Sequence, residues 1–366
     1  MFSKIIRTYG KITWICAAFL LVLALPAGAI ENDGSAGSDR DSVSILPFGF
    51  YTSDTGAAVG CMSVYERAGS NGGTSLRLYG GATYTWMKQA ELYLDVESSW
   101  SEDRYRLEIE GGFFNTPSEF YGFGQVDDCQ EAYTVQKLEA RAAFSRKMYH
   151  SLFIGPAVSM KAGKFTDVED GGVLSAYIAE AGNSEYPFGG GCSLMWDTRS
   201  DALYPLSGTL LLVEPLFFPD RGAAGESFQR IECDGRLFFN PVDGIVIALR
   251  GYGIFSSGDV PFLYLPEMGG LFLGRGYPYG RFRAENLLAL QGEIRWKFTR
   301  RWGCTAFIEA GEAASGADDF KLSGIRPSAG AGLRFSVNPP SEVHIRLDVG
   351  FTPESYGVYI TLMEAF

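Results

Sequence analysis

The sequence predicts an all-β chain: a transmembrane antiparallel β-barrel of sixteen strands behind a cleaved signal peptide. Three observations predict it. From Ile45 onward hydropathy alternates with period two, the mark of strands whose two faces meet different surroundings. The alternating runs are about ten residues long, the length a tilted strand needs to cross a bilayer. The connections between them sort into long ones on one side and short ones on the other, as barrel loops and turns do.

The elements follow in order. Lys4, Arg7 and Lys11 form a positive start, and an apolar run from Ile12 to Leu25 is too short to span a bilayer comfortably as a helix. Pro26 and the small residues Ala27-Gly28-Ala29 then place a signal-peptide cleavage after Ala29, with no cysteine there to carry a lipid anchor. Residues 30–44 read as a polar periplasmic tether that cannot bury a core. Strands are expected over 45–51, 56–67, 74–85, 90–101, 104–114, 131–146, 149–161 and 187–197. They continue over 207–217, 227–240, 244–255, 285–298, 303–312, 325–338, 342–351 and 356–365.

The alternation is explicit in several of them. Glu91, Tyr93, Asp95, Glu97 and Ser99 share one face of their strand, against Leu92, Leu94, Val96 and Trp100 on the other. Gln291, Glu293, Arg295 and Lys297 oppose Leu290, Ile294, Trp296 and Phe298. His344, Arg346 and Asp348 oppose Val343, Ile345, Leu347 and Val349. Both charge signs on one polar face suit a hydrated lumen with cross-strand pairing, and Leu290 is expected to face lipid. With the N-terminus in the periplasm, segments 115–130, 162–186, 218–226, 256–284 and 313–324 become outer loops, and 102–103, 147–148, 241–243, 299–302 and 339–341 become inner turns. The chain ends on an aromatic, Phe366, as outer-membrane barrels do, although Glu364 stands where that C-terminal signature usually has an apolar residue.

Composition narrows function. The chain has 31 Lys+Arg and 43 Asp+Glu; without the three basic residues of the signal the balance is 28 against 43, a net charge of −15. Such a chain lacks the basic footprint that nucleic acid requires. A mean hydropathy of +0.01, with no second long apolar run, excludes a helical membrane protein. Cys61, Cys129, Cys192, Cys233 and Cys304 are scattered and odd in number, and no Cys/His cluster suggests a metal. The two histidines, His150 and His344, form no catalytic constellation, so neither an enzyme nor a cofactor is expected. The acidic run Asp167-Val168-Glu169-Asp170 reads as a solvated loop rather than a calcium site.

The most unusual segment is Gly274-Arg275-Gly276-Tyr277, an arginine between glycines inside the longest loop. About thirty residues on comes Phe307-Ile308-Glu309-Ala310-Gly311. These pieces, with ILPFGFYTSDTGAAVG (45–60), FYGFG (120–124) and the turn Asp197-Thr198-Arg199 followed by Tyr204-Pro205 and Gly208, resemble the bacterial surface antigen barrels. That superfamily holds the outer-membrane protein-assembly factors and two-partner secretion transporters, and the likeness spans nearly the whole mature chain. It implies that Arg275 folds into the lumen and meets an acid on the thirteenth strand, here Glu309 in place of Asp, framed by Phe307 and Gly311. It implies polar lumen positions for Glu293 and Arg295. Family assembly factors carry periplasmic repeats before the barrel, so the short stretch of residues 30–44 implies a barrel-only member. The implied function is assistance in inserting or translocating polypeptides at the outer membrane. The lipid bilayer, unfolded outer-membrane polypeptides and a periplasmic partner are the expected partners. A passive channel or a structural surface barrel is the alternative.

Overall fold

The computed structural model describes residues 29–30, 40–52, 55–68, 74–124, 129–201, 204–220, 227–338, 343–362 and 364–366. The expected signal peptide (1–29), apart from Ala29, and most of the expected tether (30–44) therefore lie outside the described residues. Sixteen long strands form the wall: β1 (Arg40–Thr52), β2 (Gly56–Ala68), β3 (Ser75–Thr85), β4 (Ala90–Trp100), β5 (Tyr105–Phe120), β6 (Glu131–Tyr149), β7 (Leu152–Thr166) and β8 (Phe188–Asp197). They continue with β9 (Gly208–Phe218), β10 (Phe228–Val242), β11 (Ile245–Gly258), β12 (Asn286–Lys297), β13 (Trp302–Ala314), β14 (Arg326–Asn338), β15 (Val343–Phe351) and β16 (Tyr356–Leu362). Each pairs antiparallel with the next, and β16 returns to β1, so the sheet closes on itself. Closure gives every wall strand a neighbour on both sides without a helix, which is how a β-chain can cross a bilayer. Among the described residues no helix is long and apolar enough to cross one.

The period-two pattern sets which face each residue takes. Leu290 and Ile308 are 64% and 69% exposed on the outside of the wall, and Leu94, Ile231, Leu249, Ile294 and Leu333 are exposed with them. Gln291, Glu293, Arg295, Thr305, Glu309, Arg334, Arg346 and Asp348 are buried on the inside. A wall greasy outside and charged inside is inverted relative to a water-soluble protein.

Several bounds differ from the sequence expectation. β1 starts at Arg40 rather than 45, and β5 and β7 run on to Phe120 and Thr166, beyond the expected bilayer-length segments. The extensions carry Phe120 and Phe165, which join Tyr133 and Val135 of β6 in an apolar cluster with loop residues. The outer loop after β7 contains α1 (Val173–Ala181), which the alternation did not signal. Glu131 fixes it: its carboxylate accepts from the Val173 and Leu174 amides at 2.7 and 2.9 Å, an N-terminal partner supplied from another strand.

The largest correction is at the C-terminus. β16 ends at Leu362, not 365, and residues 364–366 turn into the lumen. The reason is electrostatic. Glu364 pairs with Arg334 at 2.8 Å, and Arg295 donates to the Phe366 carbonyl oxygen at 2.9 Å. The Phe366 ring packs near Phe238 and Ala248. A carboxylate at 364 is drawn to lumenal arginines and would be costly facing lipid.

Candidate functional site: a buried arginine that joins the lumen wall

The long loop between β11 and β12 folds back into the barrel. Phe262, Leu263 and Leu265 sink into the apolar cluster with Phe120, Tyr133, Phe165 and Leu174. Glu185 accepts from the Phe262 and Leu263 amides at 3.1 and 2.9 Å and from the Tyr177 hydroxyl at 2.8 Å, which ties this loop to α1. Gly124, in the outer loop after β5, donates to the Arg283 carbonyl oxygen at 2.6 Å. Outer loops thus meet inside the barrel mouth rather than above it.

From this plug the chain descends to Arg275, which is wholly buried. Its guanidinium is divided among three strands. Nη2 donates to Glu293 on β12 at 2.7 Å, Nε to Glu309 on β13 at 2.8 Å, and Nη1 to Asp348 on β15 at 2.8 Å. Its backbone amide also donates to Glu309 at 2.7 Å. The Phe307 ring lies 3.5 Å from the guanidinium carbon, a cation–π contact that covers one face of the fork. Five fixed donors on a planar group suit this arrangement, and a lysine point charge does not.

Local backbone explains the glycines. Gly276 has φ +112°, and a Cβ there would meet the Gly350 backbone at 3.0 Å, so the loop lies directly on β15. The Gly276 amide donates to the Tyr359 hydroxyl on β16 at 3.0 Å, and Tyr277 donates to the Pro327 carbonyl oxygen at 3.2 Å. Gly311 leaves room for Met268, whose sulfur would stand 2.5 Å from an added Cβ. Gly274 takes φ +77°, again in the region glycine favours.

The carboxylates are themselves shared. Glu309 also accepts from Gln291 at 2.8 Å and Ser328 at 3.2 Å. Arg295 donates to Glu293 at 2.9 Å, and Arg334 donates to Asp348 at 2.6 Å. Asp348 departs from the residue pair that the sequence motif suggested. Its signal was its place on the polar face of β15, but nothing in the spacing tied it to Arg275.

The turn residues sit elsewhere. Asp197 accepts from the Arg199 backbone and guanidinium at 3.0 to 3.1 Å, and Gly208, at φ +105°, lets the backbone pass Thr198. Tyr204 and Pro205 are buried. The Tyr204 ring lies tilted against His344 on β15, with centroids 4.7 Å apart. The inner turn therefore folds under the lumen and is separate from the Arg275 cluster.

Comparisons with known proteins come at this point. A family model described as the Omp85 superfamily domain matches residues 72–356. No curated protein matches the sequence. Among solved structures the fold is similar to BamA from Haemophilus ducreyi lacking POTRA domains 1-3, at 12% identity and a TM-score of 0.58, covering 92% of this chain and 74% of that one. It is also similar to CdiB from Acinetobacter baumannii, at 11% identity and a TM-score of 0.58, covering 90% of this chain and 60% of that one. CdiB from Escherichia coli follows at 13% identity and a TM-score of 0.55, covering 93% of this chain and 68% of that one. With most of its length matched by the family model, the chain belongs to the Omp85 superfamily and is an outer-membrane β-barrel.

Proposed function

We propose that this barrel assists the insertion or translocation of polypeptides at the outer membrane, through the seam between β1 and β16. The observation that carries the reading is the seam itself. β1 and β16 pair only at Tyr51–Ile360 and Thr52–Tyr359, whereas β15 and β16 pair over seven positions. Positions 45–50 of β1 pair with no strand on the seam side among the described residues. An unpaired strand edge is a template for another strand, and a client strand added there would gain main-chain hydrogen bonds.

Two features keep the seam short. The tail leaves β16 early because Glu364 and Phe366 are held by Arg334 and Arg295. If the observed register continued, Glu364 would stand opposite Pro47, which has no amide to donate. The loops that fill the outer mouth speak against a passive channel.

The test is reconstitution of the folded protein in liposomes with an unfolded barrel client. Faster client insertion than in empty liposomes, and than with an unrelated barrel, supports the reading. No acceleration over several clients removes it.

A further inference from the structure

The seam edge of β1 is not met by β16 alone. β2 pairs with β1 at every position from Arg40 to Thr52, which fills one edge of that strand completely. The backbone of Ala29–Ile30 also pairs with β1, antiparallel, with Ala29 opposite Ser44 and Ile30 opposite Val43. With β2 on one edge, these two residues lie on the other, the edge that β16 uses. That edge has three parts. β16 holds Tyr51 and Thr52, residues 29–30 hold Val43 and Ser44, and positions 45–50 between them stand open among the described residues.

β16 does not reach the part that Ala29–Ile30 covers. It ends at Leu362, and in its observed register even Phe366 would stand opposite Ile45, one position short of Ser44. A strand tilted across a bilayer needs about ten residues, more than the open stretch offers. A client strand laid on the edge therefore overruns the gap, into the β16 pairing at one end or into the place of Ile30 at the other. Two paired positions are a weak hold, because main-chain hydrogen bonds taken from water leave a small net gain.

We propose that residues 29–30 are a built-in placeholder for the seam edge, displaced when an incoming extended chain pairs at Val43 and Ser44. The proposal rests on the seam reading above and adds its regulation. The placeholder covers backbone groups that would otherwise template unwanted pairing. An incoming strand has to outpair it, which favours segments long enough to replace both positions. Signal cleavage after Ala29, where the sequence expects it, leaves Ile30 in place as a free end.

The experiment uses the full-length folded barrel in liposomes. Ile30→Cys with Val43→Cys should form a disulfide on mild oxidation, found by mass spectrometry as a joined peptide pair, since directly opposed antiparallel residues lie within reach of one. An excess of an unfolded barrel client should lower its yield. In a second arm Val43→Cys alone is offered the same client carrying a single cysteine in its last strand. Deleting residues 30–39 should raise the yield of the mixed disulfide several-fold, with heat-modifiable migration checking that the deleted barrel folds. No disulfide between positions 30 and 43, a yield that the client leaves unchanged, or equal client crosslinking with and without residues 30–39 would each overturn the proposal. Insertion rate separates the two readings: crosslinking that rises on deletion without any faster insertion removes the assembly reading and leaves the placeholder standing.

Discussion

At the residue scale the molecule turns on one side chain. Arg275 is in contact with Glu293, Glu309 and Asp348 from a wholly buried position. Arg275→Ala leaves Glu309 without a cation and takes one partner each from Glu293 and Asp348, which keep Arg295 and Arg334; breaking a buried ion group from one side costs about 3–5 kcal/mol. The expected result is a clear drop in the heat-modifiability midpoint. Arg275→Lys should recover little of it, because an ammonium cannot reach three strands; full recovery would mean that charge alone matters. Leu290, exposed on the outer wall, makes the opposite test. Leu290→Arg should cost about 2–4 kcal/mol in a bilayer, and a neutral result in a urea-unfolding titration would contradict the register. Outside the bilayer, burial first and then the hydrogen bond to the Glu131 carboxylate push the Cys129 thiol up to about 11. Alkylation of Cys129 should therefore stay slow until the solution nears that pH, and Glu131→Gln should bring its onset down.

At the element scale the seam and the tail answer to each other. Paired residues of antiparallel strands lie within reach of a disulfide. Tyr51→Cys with Ile360→Cys should form one under oxidation and suppress any acceleration of client insertion, with recovery on reduction; unchanged acceleration in the crosslinked barrel would remove the seam from the mechanism. Elements were also where the sequence was most and least legible. Strands such as 288–298 announced both faces, because lipid and lumen ask for opposite residue types at alternate positions. The last strand misled for the same reason. Val358, Ile360 and Leu362 alternate cleanly, and the pattern runs on to Phe366, but Glu364 follows the arginines of β12 and β14. A pairing partner thirty residues away in sequence leaves no periodic trace. The helix α1 was invisible for a related reason: it is held by Glu131, more than forty residues upstream, and not by a capping signal of its own.

At the scale of the whole molecule the barrel is filled rather than hollow. Phe262, Leu263 and Leu265 block the outer end, Arg275 anchors the loop midway, and Tyr204 reaches His344 across the inner end. Planar-bilayer recordings should show conductance near baseline for the intact protein. Replacing residues 262–283 with a short glycine-serine linker should open a stable pore, and an equally silent variant would mean that something other than this loop closes the barrel. The loop arginine and its glycines stood out in the sequence, and so did the acid on the thirteenth strand. Their third partner, Asp348, required the fold, because closing the sheet is what brings β15 beside a loop that left the wall at β11.

The division of one guanidinium among β12, β13 and β15 also constrains the order of events in biogenesis. A desolvated cation cannot be threaded cheaply into a finished wall, so the loop has to be seated while these strands are still coming together. The C-terminal third would then be an early nucleus, stitched around its own loop, and the N-terminal strands would be the last to join. A late arrival would explain why their final edge holds so few hydrogen bonds. On this view Arg275→Ala slows folding into micelles as well as speeding unfolding, the signature of a contact partly made at the rate-limiting step.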